Sequence, residues 1–407
     1  MKNTIKYLCI IALSTIFLFA SCTKDSDQSK KEIASYENAK LYLSANQKFY
    51  IAELHGSFRL MGQQYGSMMK EQIKKFYDDA VSNYLMKEKK IKYDLIKSAG
   101  NGYYNTLPQM YKDFVDGIGE TNGLNKEQTN IVAALPILLA MSGCSSLSAW
   151  GEYTGGGPLV VGRNWDLPTH MTRFSKYLTV VVFNPDGSGN SIANIDFAGS
   201  FFYQTAMNNK GIFLELQNGQ GSDTTQCGDR TNANHALFNF LLNSSSIQEI
   251  DALFKSTLPG GGIIMNASSP SETYIYEWGT SRLARRNGKG LISASNDFID
   301  PSWTQYKIPV YNQTNEGIGK TYTRRMNLLA RGEENKGKIT PDVMKKIFDT
   351  TIPNNGATFP DDGLLRTVYQ VVAVPAQLKI WLKARSYSDW EEIDLTKYFS
   401  KITDSSF

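Results

Sequence analysis

The feature that most constrains the fold of this chain is a change of residue pattern near residue 144. From about Leu41 to Gly143 the pattern is mostly helical, and apolar residues recur at helical spacing between Met61 and Ala80. After Cys144 the chain changes to short segments that are rich in β-forming residues and bounded by turn residues. This pattern predicts an α+β fold in which two stacked antiparallel sheets lie between layers of helices.

The same patterns predict the individual elements. Strands are expected at Ser145–Trp150, Leu159–Asn164, Tyr177–Phe183, Ser191–Asp196, Phe202–Met207, Gly211–Gln217, Gly262–Ala267, Thr273–Trp278, Leu291–Ala294, Val368–Val374 and Lys379–Lys383. Helices are expected between them at Asn234–Leu242, Ile247–Phe254, Tyr322–Leu329 and Asp342–Thr350. In the first part of the chain, Asn125 and Gln128 form a capping box that predicts a helix start, and Pro136 is expected to kink or end that helix.

Composition argues against some classes of function. The formal net charge of +4 over 407 residues is small, so no nucleic-acid partner is indicated. The chain contains only three histidines, which are His55, His170 and His235. This scarcity argues against a metal site and against catalysis by a Cys–His pair. We therefore expect neither a metal nor a cofactor.

The first 21 residues have the pattern of a targeting segment. Lys2 and Lys6 precede an apolar run, and the stretch LFASC that ends at Cys22 resembles a bacterial lipobox. We expect removal of the signal peptide (residues 1–21), lipidation of Cys22, and a flexible tether over residues 22–40. The protein would then be an exported, membrane-anchored lipoprotein of the cell envelope. An uncleaved membrane anchor is the alternative, but the run is shorter than the roughly 20 residues that span a bilayer.

Two cysteines remain once Cys9 leaves with the signal peptide and Cys22 carries lipid. In an oxidising compartment, Cys144 and Cys227 could form a disulfide. The alternative is that one of them is a reactive thiol. Their sequence separation alone does not decide between these interpretations, because a bridge depends on the Cα separation in the fold.

Charged residues are expected near Cys144. Residues 152–157 form a glycine-rich turn between two predicted strands, and antiparallel register across it places Cys144 opposite Trp165. Arg163 and Asp166 then lie at the same end of the sheet as the thiol. A nearby cation favours a thiolate, so a reactive site is one interpretation. A surface ion pair at a strand end is the other.

Several motifs, taken in order, resemble the choloylglycine hydrolase and penicillin acyltransferase group of N-terminal-nucleophile hydrolases. The resemblance runs from about Glu53 to the C-terminus. It is carried by His55-Gly56 with Gly62-Gln63-Gln64-Tyr65-Gly66, by Gly143-Cys144-Ser145-Ser146, by Val161-Gly162-Arg163-Asn164-Trp165-Asp166, by Ala206-Met207-Asn208-Asn209-Lys210-Gly211 running on to Gln217-Asn218, by Ser293-Ala294-Ser295-Asn296-Asp297, and by Thr323-Arg324-Arg325-Met326.

The resemblance implies a four-layer αββα sandwich and a self-activating cysteine. Cys144 would attack the carbonyl of Gly143 and become a new N-terminus whose α-amine serves as general base. Asp166 would orient that amine, and Arg163 would favour the thiolate and hold the carbonyl region of the substrate.

The resemblance also implies roles for residues far from this junction. Asn218 and Asn296 would donate hydrogen bonds to the oxyanion. Arg325 would supply a further site arginine, with Arg324 as the alternative in an adjacent register. Cys227 would be an unpaired bystander.

The function implied is cleavage of a linear, non-peptide amide of an N-acyl compound, such as a conjugated bile acid or an N-acyl amine. Residues 41–143 would be a helical pro-region that stays bound to the catalytic chain, residues 144–407. Two alternatives remain at this point. The protein could be an acyltransferase that passes the acyl group to an amine, or a catalytically silent lipoprotein that binds a ligand.

Overall fold

The computed structural model describes most of the chain. The described residues are 31–139, 143–306, 308–317 and 319–400. Three expectations lie outside them, and these are the signal peptide (1–21), the lipidation of Cys22, and the first part of the tether up to residue 30.

The strands of the described residues form two sheets. In chain order they are β1 (Lys31–Tyr36), β2 (Ala39–Leu43), β3 (Tyr50–Gly56), β4 (Gly143–Ala149), β5 (Val160–Pro168), β6 (Leu178–Pro185), β7 (Ile192–Phe197), β8 (Thr205–Asn208), β9 (Phe213–Asn218), β10 (Ile263–Ser268), β11 (Thr273–Trp278), β12 (Leu283–Asn287), β13 (Leu291–Ala294), β14 (Leu365–Val374), β15 (Lys379–Ala384) and β16 (Ser388–Asp394). Sheet I has the order β1-β2-β3-β6-β7-β8-β9-β10-β11-β12, and sheet II has the order β13-β4-β5-β14-β15-β16.

Helices cover the outer face of each sheet. In chain order they are α1 (Phe58–Met68), α2 (Lys70–Tyr77), which continues as a π-helix over Asp78–Glu88, α3 (Tyr93–Thr106), α4 (Gln109–Thr121), α5 (Lys126–Leu139), α6 (Ala233–Asn243), α7 (Ile247–Ser256), α8 (Thr321–Glu334) and α9 (Pro341–Asp349). Helices α1, α6 and α7 contact sheet I, whereas α8 and α9 contact sheet II. The fold is therefore α+β, with two stacked sheets between helical layers, and the predicted fold class is confirmed.

Polar side chains lie buried between the sheets, and some of them form hydrogen bonds from one sheet to the other. Gln217 of β9 donates to the Ser146 hydroxyl of β4 at 2.7 Å. Asn266 of β10 donates to the Ser148 hydroxyl at 3.1 Å. Because a buried polar group without a partner is costly, these bonds specify how β4 faces sheet I. The position of β4 determines where Cys144 lies.

The expected tether is wrong for residues 31–40. Lys31–Tyr36 forms β1, and β2 begins at Ala39. β1 is mostly exposed because it is the edge strand of sheet I and pairs on one side only. Its polar composition therefore suits an edge strand as well as a tether, and composition alone could not separate the two.

The region from 41 to 143 is not entirely helical, because it also contributes strands. β3 pairs in parallel with β6, Leu54 lying opposite Phe183, and β2 pairs with β3. The first part of the chain therefore belongs to the same sheet as the part after Cys144. The missed strands β12 and β16 are charged segments at sheet edges, where alternation of apolar residues is weak.

Local helix signals are confirmed in more detail. The backbone N–H of Gln128 donates to the Asn125 side chain at 2.9 Å, and the backbone N–H of Asn125 donates to Gln128 at 3.1 Å. This is the predicted capping box. Pro136 lies inside α5, three residues before Leu139, the last described residue of that helix. Within the described residues, no helix has both the length and the apolar character needed to cross a membrane.

Helices α1 and α4 cross closely through glycines. A Cβ on Gly117 of α4 would overlap the carbonyl oxygen of Arg59 in α1, and it would lie 3.0 Å from the Cα of Gly62. Two residues further on, a Cβ on Gly119 would meet only the Thr129 side chain, at 3.5 Å. The two glycines of one helix thus differ sharply in the space around them.

We expect Gly117→Ala to lower the free energy of unfolding by about 1–3 kcal/mol, because the added methyl forces the two backbones apart. Gly119→Ala is the matched control and should be neutral or stabilising, by up to about 1 kcal/mol, through its better helix propensity. Urea unfolding of both variants measures the difference. Equal stability of the two would contradict the close crossing.

Candidate active site

Cys144 lies near the start of β4, where β4 pairs with β5. The register places Cys144 opposite Trp165 and Gly143 opposite Asp166, as the hairpin pattern predicts. The Cys144 side chain is fully buried between the sheets. Arg163 lies two positions before Trp165 and Asp166 one position after it. Both side chains are also fully buried. The interpretation of Arg163 and Asp166 as a surface ion pair is therefore wrong.

The sulfur of Cys144 faces Arg163. The Nη2 atom of Arg163 lies 3.4 Å from Sγ and donates to the carbonyl oxygen of Leu216 at 2.9 Å. Its Nη1 atom donates to the Thr205 hydroxyl, and its Nε atom lies 3.5 Å from the Glu215 carboxylate. The guanidinium thus bonds to strands β8 and β9, lies near the Glu215 carboxylate, and faces the thiol through Nη2.

The thiol is protonated at neutral pH in this uncut chain. Burial raises the pKa of Cys144 to about 11, although the positive charge of Arg163 acts in the opposite direction. Burial also raises the pKa of Glu215 to about 7, against the influence of Arg163. Arg163 does favour the thiolate, as expected, but in this uncut chain desolvation outweighs a single cation.

The backbone of Cys144 is held on the other side of the residue. Its N–H donates to Asn296 Oδ1 at 2.8 Å. Its carbonyl oxygen accepts from Arg324 Nη1 at 2.7 Å and from the Ser295 hydroxyl at 3.2 Å. Cys144 therefore presents its sulfur to one arginine and its main chain to another.

Arg324, on α8, connects the residues around this main chain. Its Nη1 atom lies 2.8 Å from Asp166 Oδ2, and its Nη2 atom donates to Asn296 Oδ1 at 2.8 Å. Its Nε atom donates to the Gly319 carbonyl at 2.7 Å, and the guanidinium is fully buried. Three nitrogens thus have four acceptors, including the Cys144 carbonyl.

Arg325 does not reach the site, and this corrects the sequence prediction. Its Nη2 atom lies 3.1 Å from the Asp297 carboxylate, away from Cys144. The register of α8 decides between the two arginines. The Thr321 hydroxyl at the helix start accepts from the backbone N–H of Asn296 at 2.7 Å, and Arg324, three residues on, lies on the same helix face.

Asp166 contacts Gly143 and a threonine that the sequence analysis missed. The Thr367 hydroxyl donates to Asp166 Oδ1 at 2.6 Å. A Cβ built on Gly143 would lie 3.4 Å from the Asp166 Cβ and 3.7 Å from Arg324 Nη2. Burial raises the pKa of Asp166 to about 6, while Arg324 and Thr367 act against that rise. Asp166 is thus ionised at neutral pH and paired with Arg324.

The two predicted oxyanion asparagines are brought together, but they are not equivalent. Asn296 turns its oxygen toward Cys144 and Arg324, and its Nδ2 donates to the backbone carbonyl of Asn218 at 2.8 Å. The Asn218 oxygen accepts from the Gln220 N–H at 2.8 Å. Among the described residues, the side-chain N–H groups of Asn218 have no acceptor. Asn218 thus has free donors, whereas Asn296 holds the Cys144 nitrogen.

The second cysteine is separate from this site. Both Cys144 and Cys227 are free thiols, so the disulfide interpretation is wrong in this structure. Cys227 is partly exposed, in the loop before α6. Within the described residues, no group of three or more His, Cys, Asp or Glu side chains could hold a metal ion.

Sequence reasoning missed Thr367, Ser295 and Glu215. Thr367 and Glu215 lie inside β14 and β9, where a buried threonine or glutamate has no local signal that marks it as part of a site. Ser295 is adjacent to Asn296 in a matched motif, so its position in the sequence could have suggested it.

Comparisons with known proteins give structural neighbours of low similarity. No protein-family model matches the chain, and no curated protein matches its sequence. A mutant conjugated bile acid hydrolase from Clostridium perfringens aligns with a TM-score of 0.45 and 15% identity, over 63% of this chain and 93% of its own. Penicillin V acylase from Agrobacterium tumefaciens gives 0.40 and 13%, over 62% and 87%. A Caenorhabditis elegans ortholog of N-acylethanolamine-hydrolyzing acid amidase gives 0.39 and 14%, over 62% and 100%.

In chains that retain the Gly143–Cys144 bond, we expect iodoacetamide to label Cys227 at pH 8 and to leave Cys144 almost unlabelled. Cys144 is buried, and its raised pKa leaves little of the reactive thiolate. Labelling of Cys144 should increase as the pH approaches 11. Peptide mass spectrometry of the peptide that spans the bond measures it. Equal labelling of both cysteines at pH 8 would be inconsistent with this burial.

Proposed function

We propose that this protein is an N-terminal-cysteine amide hydrolase that activates itself by cutting the bond between Gly143 and Cys144. The observation that carries the proposal is the environment of the Cys144 nitrogen. This atom is already held by Asn296 Oδ1, beside the buried Arg324–Asp166 pair, before any α-amine exists. Any buried backbone N–H needs an acceptor, but here the acceptor is a side-chain oxygen that the buried Arg324 also holds.

Self-cleavage would begin with the Cys144 sulfur and the Gly143 carbonyl carbon. The thiol adds to this carbon, the C–N bond to Cys144 breaks, and the thiol proton passes to the departing nitrogen. Water then hydrolyses the thioester and leaves a carboxylate on Gly143. Because Gly143 has no side chain, its carbonyl can be approached closely in the space beside Asp166 and Arg324.

After cleavage, one residue would supply both nucleophile and base. The α-amine of Cys144 takes the thiol proton, and the thiolate attacks the carbonyl carbon of the substrate amide. The amine then gives the proton to the leaving nitrogen, and water releases the acyl group from sulfur. Arg324 disfavours a second positive charge beside it, so the amine can be unprotonated when it accepts the thiol proton, and Asp166 balances the charge that the amine then carries.

The oxyanion that forms during the attack needs hydrogen-bond donors. The side-chain N–H groups of Asn218 have no acceptor among the described residues, so they are available for this role. Arg163, 3.4 Å from the sulfur, stabilises negative charge as the proton leaves the thiol. Loss of one such donor typically costs about 100-fold in rate or more.

The proposal includes a pro-region that stays attached after the cut. Strand β3 lies inside sheet I, next to β6. The backbone N–H of Gly199 donates to the Tyr65 hydroxyl at 3.3 Å, and the Tyr103 hydroxyl donates to the Phe201 carbonyl. Loss of the pro-region would expose the edge of β6 and the core beneath α1. It would also free the loop that leads to Thr205, an acceptor for Arg163.

We further propose that the enzyme works outside the cytoplasm, held to a membrane through lipid on Cys22. This part is supported by the lipobox-like LFASC stretch and the polar segment that follows it.

We expect intact-mass analysis of the purified protein to give two fragments that meet between residues 143 and 144. The fragments should co-elute in native size-exclusion chromatography and separate only in denaturant. Cys144→Ala should stay as one chain and should hydrolyse no amide. A wild-type chain that stays uncut and yet hydrolyses an amide would refute the mechanism.

A second test uses neighbouring arginines of one helix. We expect Arg324→Lys to slow both self-cleavage and amide hydrolysis by about 100-fold or more, because a lysine ammonium cannot replace the planar fork that joins Asp166, Asn296 and Cys144. Arg325→Lys is the matched control, since a lysine can keep the single ion pair with Asp297. Circular dichroism confirms folding of both variants. Similar losses in the two would exclude a special role for Arg324.

A further inference from the structure

A small apolar cleft opens on the outer side of Arg324. Its volume is about 310 Å³, within the range of small-molecule sites. Its apolar lining comes from the segments before β14 and from the first residue of that strand, and includes Ile352, Phe359, Leu364 and Leu365. Among the lining residues that the structure describes, Lys320 carries a charge, and it is exposed at the rim of the cleft. The interior therefore favours an apolar occupant.

The cleft is directly connected to the residues around Cys144. The ring of Phe359 packs against Arg324, with 5.2 Å between the ring centroid and the guanidinium carbon. The backbone N–H of Phe359 donates to the Thr367 hydroxyl at 3.0 Å, and that hydroxyl donates to Asp166 at 2.6 Å. Phe359 and Arg324 thus form the wall between the cleft and the candidate active site.

Gly319 lies beside Phe359, Leu365 and Arg324, and it has no side chain to fill the space between them. A Cβ at this position would lie 3.4 Å from both Phe359 and Leu365, and 3.6 Å from Arg324 Nη2. Gly319 also has a φ of +66°, a backbone conformation that side chains rarely adopt. The backbone here is therefore suited to glycine, and position 319 itself adds no side chain between Phe359, Leu365 and the guanidinium.

The contacts of Cys144 relate the cleft to its backbone nitrogen rather than to its sulfur. The sulfur points to Arg163 and Leu216, whereas the backbone nitrogen points to Asn296 and, through it, to Arg324. In the proposed hydrolysis, the leaving nitrogen of the substrate must come within hydrogen-bond reach of the Cys144 nitrogen. A group carried by that leaving nitrogen then lies on the side of Cys144 where Asn296 and Arg324 are, and Phe359 of the cleft packs against Arg324.

We propose that the cleft binds an apolar substituent on the amine half of the substrate. The substrate class would be amides whose leaving amine carries an alkyl or arylalkyl chain. The inference rests on the proposed hydrolase function and adds to it a preference on the amine side. Leu364, which is 94% exposed at the rim, would be covered by a chain that extends beyond the cleft.

Two isomeric amides test this assignment. N-octylacetamide carries its chain on the nitrogen, and N-methylnonanamide carries an equal chain on the carbonyl carbon. Each methylene buried in the cleft should improve kcat/KM about fourfold. We therefore expect N-octylacetamide to be hydrolysed with a kcat/KM that is about tenfold higher or more.

Three variants test whether the preference for N-octylacetamide arises in the cleft. Leu364→Ser should reduce the preference by about threefold to tenfold, because it removes apolar surface at the rim. Ile352→Trp should reduce it by filling the cleft, with thermal unfolding as a check on folding. Leu95→Ser, at a leucine of α3 that is 63% exposed, is the matched control and should leave the preference unchanged.

The outcomes separate the two proposals. A preference for N-methylnonanamide, or no preference in a cut and active enzyme, would overturn the assignment of the cleft and leave the hydrolase intact. If neither amide is hydrolysed, calorimetric binding of the two isomers gives the same comparison. N-octylacetamide would then have to bind more tightly than its isomer, and Leu364→Ser would have to weaken that binding. This result would support the assignment of the cleft even though the hydrolase proposal had failed. Equal or undetectable binding would overturn the cleft assignment.

Discussion

The arrangement of the site depends on one buried ion pair, between Arg324 and Asp166. Both side chains are fully inaccessible to solvent, so neither charge would be tolerated there alone. The same guanidinium also holds the carbonyl oxygen of Cys144 and the side-chain oxygen of Asn296. The β4–β5 hairpin, Asn296 and α8 are thereby joined, and removal of either partner of the pair would leave an uncompensated charge in the core. The conformation at the Gly143–Cys144 bond follows from this constraint.

Cys144 lies between two arginines that contact different parts of the residue. Arg163 faces the sulfur and has Glu215 beside it, whereas Arg324 faces the backbone and has Asp166 beside it. Each positive charge is balanced by a carboxylate, so the site can be buried without a large net charge. Burial nevertheless dominates at the sulfur and keeps the thiol protonated in the uncut chain. In the proposed mechanism, cleavage supplies the missing base, and reactivity is delayed until the fold is complete.

Much of the fold, and part of the site, could be predicted because they depend on local pattern. The change from helical to strand spacing predicted the α+β class, and the glycine-rich turn predicted the pairing of Cys144 with Trp165. Other features had no local signal. The contact of Thr367 with Asp166 joins residues 201 positions apart, and the polar strand β1 has the composition of a tether. Such features depend on which strands become neighbours, and that is decided by the packing of the whole domain.

The sequence by itself determined the proposed nucleophile Cys144, its neighbour Gly143, and the arginine and aspartate that the hairpin brings beside them. These residues lie within one hairpin, whose register follows from the turn. Only the tertiary structure decided that Arg324 rather than Arg325 reaches Cys144, since one position along a helix rotates a side chain by about 100°. It also decided that β3 belongs to the same sheet as strands that follow Cys144, and that Phe359, which lines an apolar cleft, packs against Arg324. Each of these depends on contacts between elements far apart in the chain, which periodicity within one element does not encode.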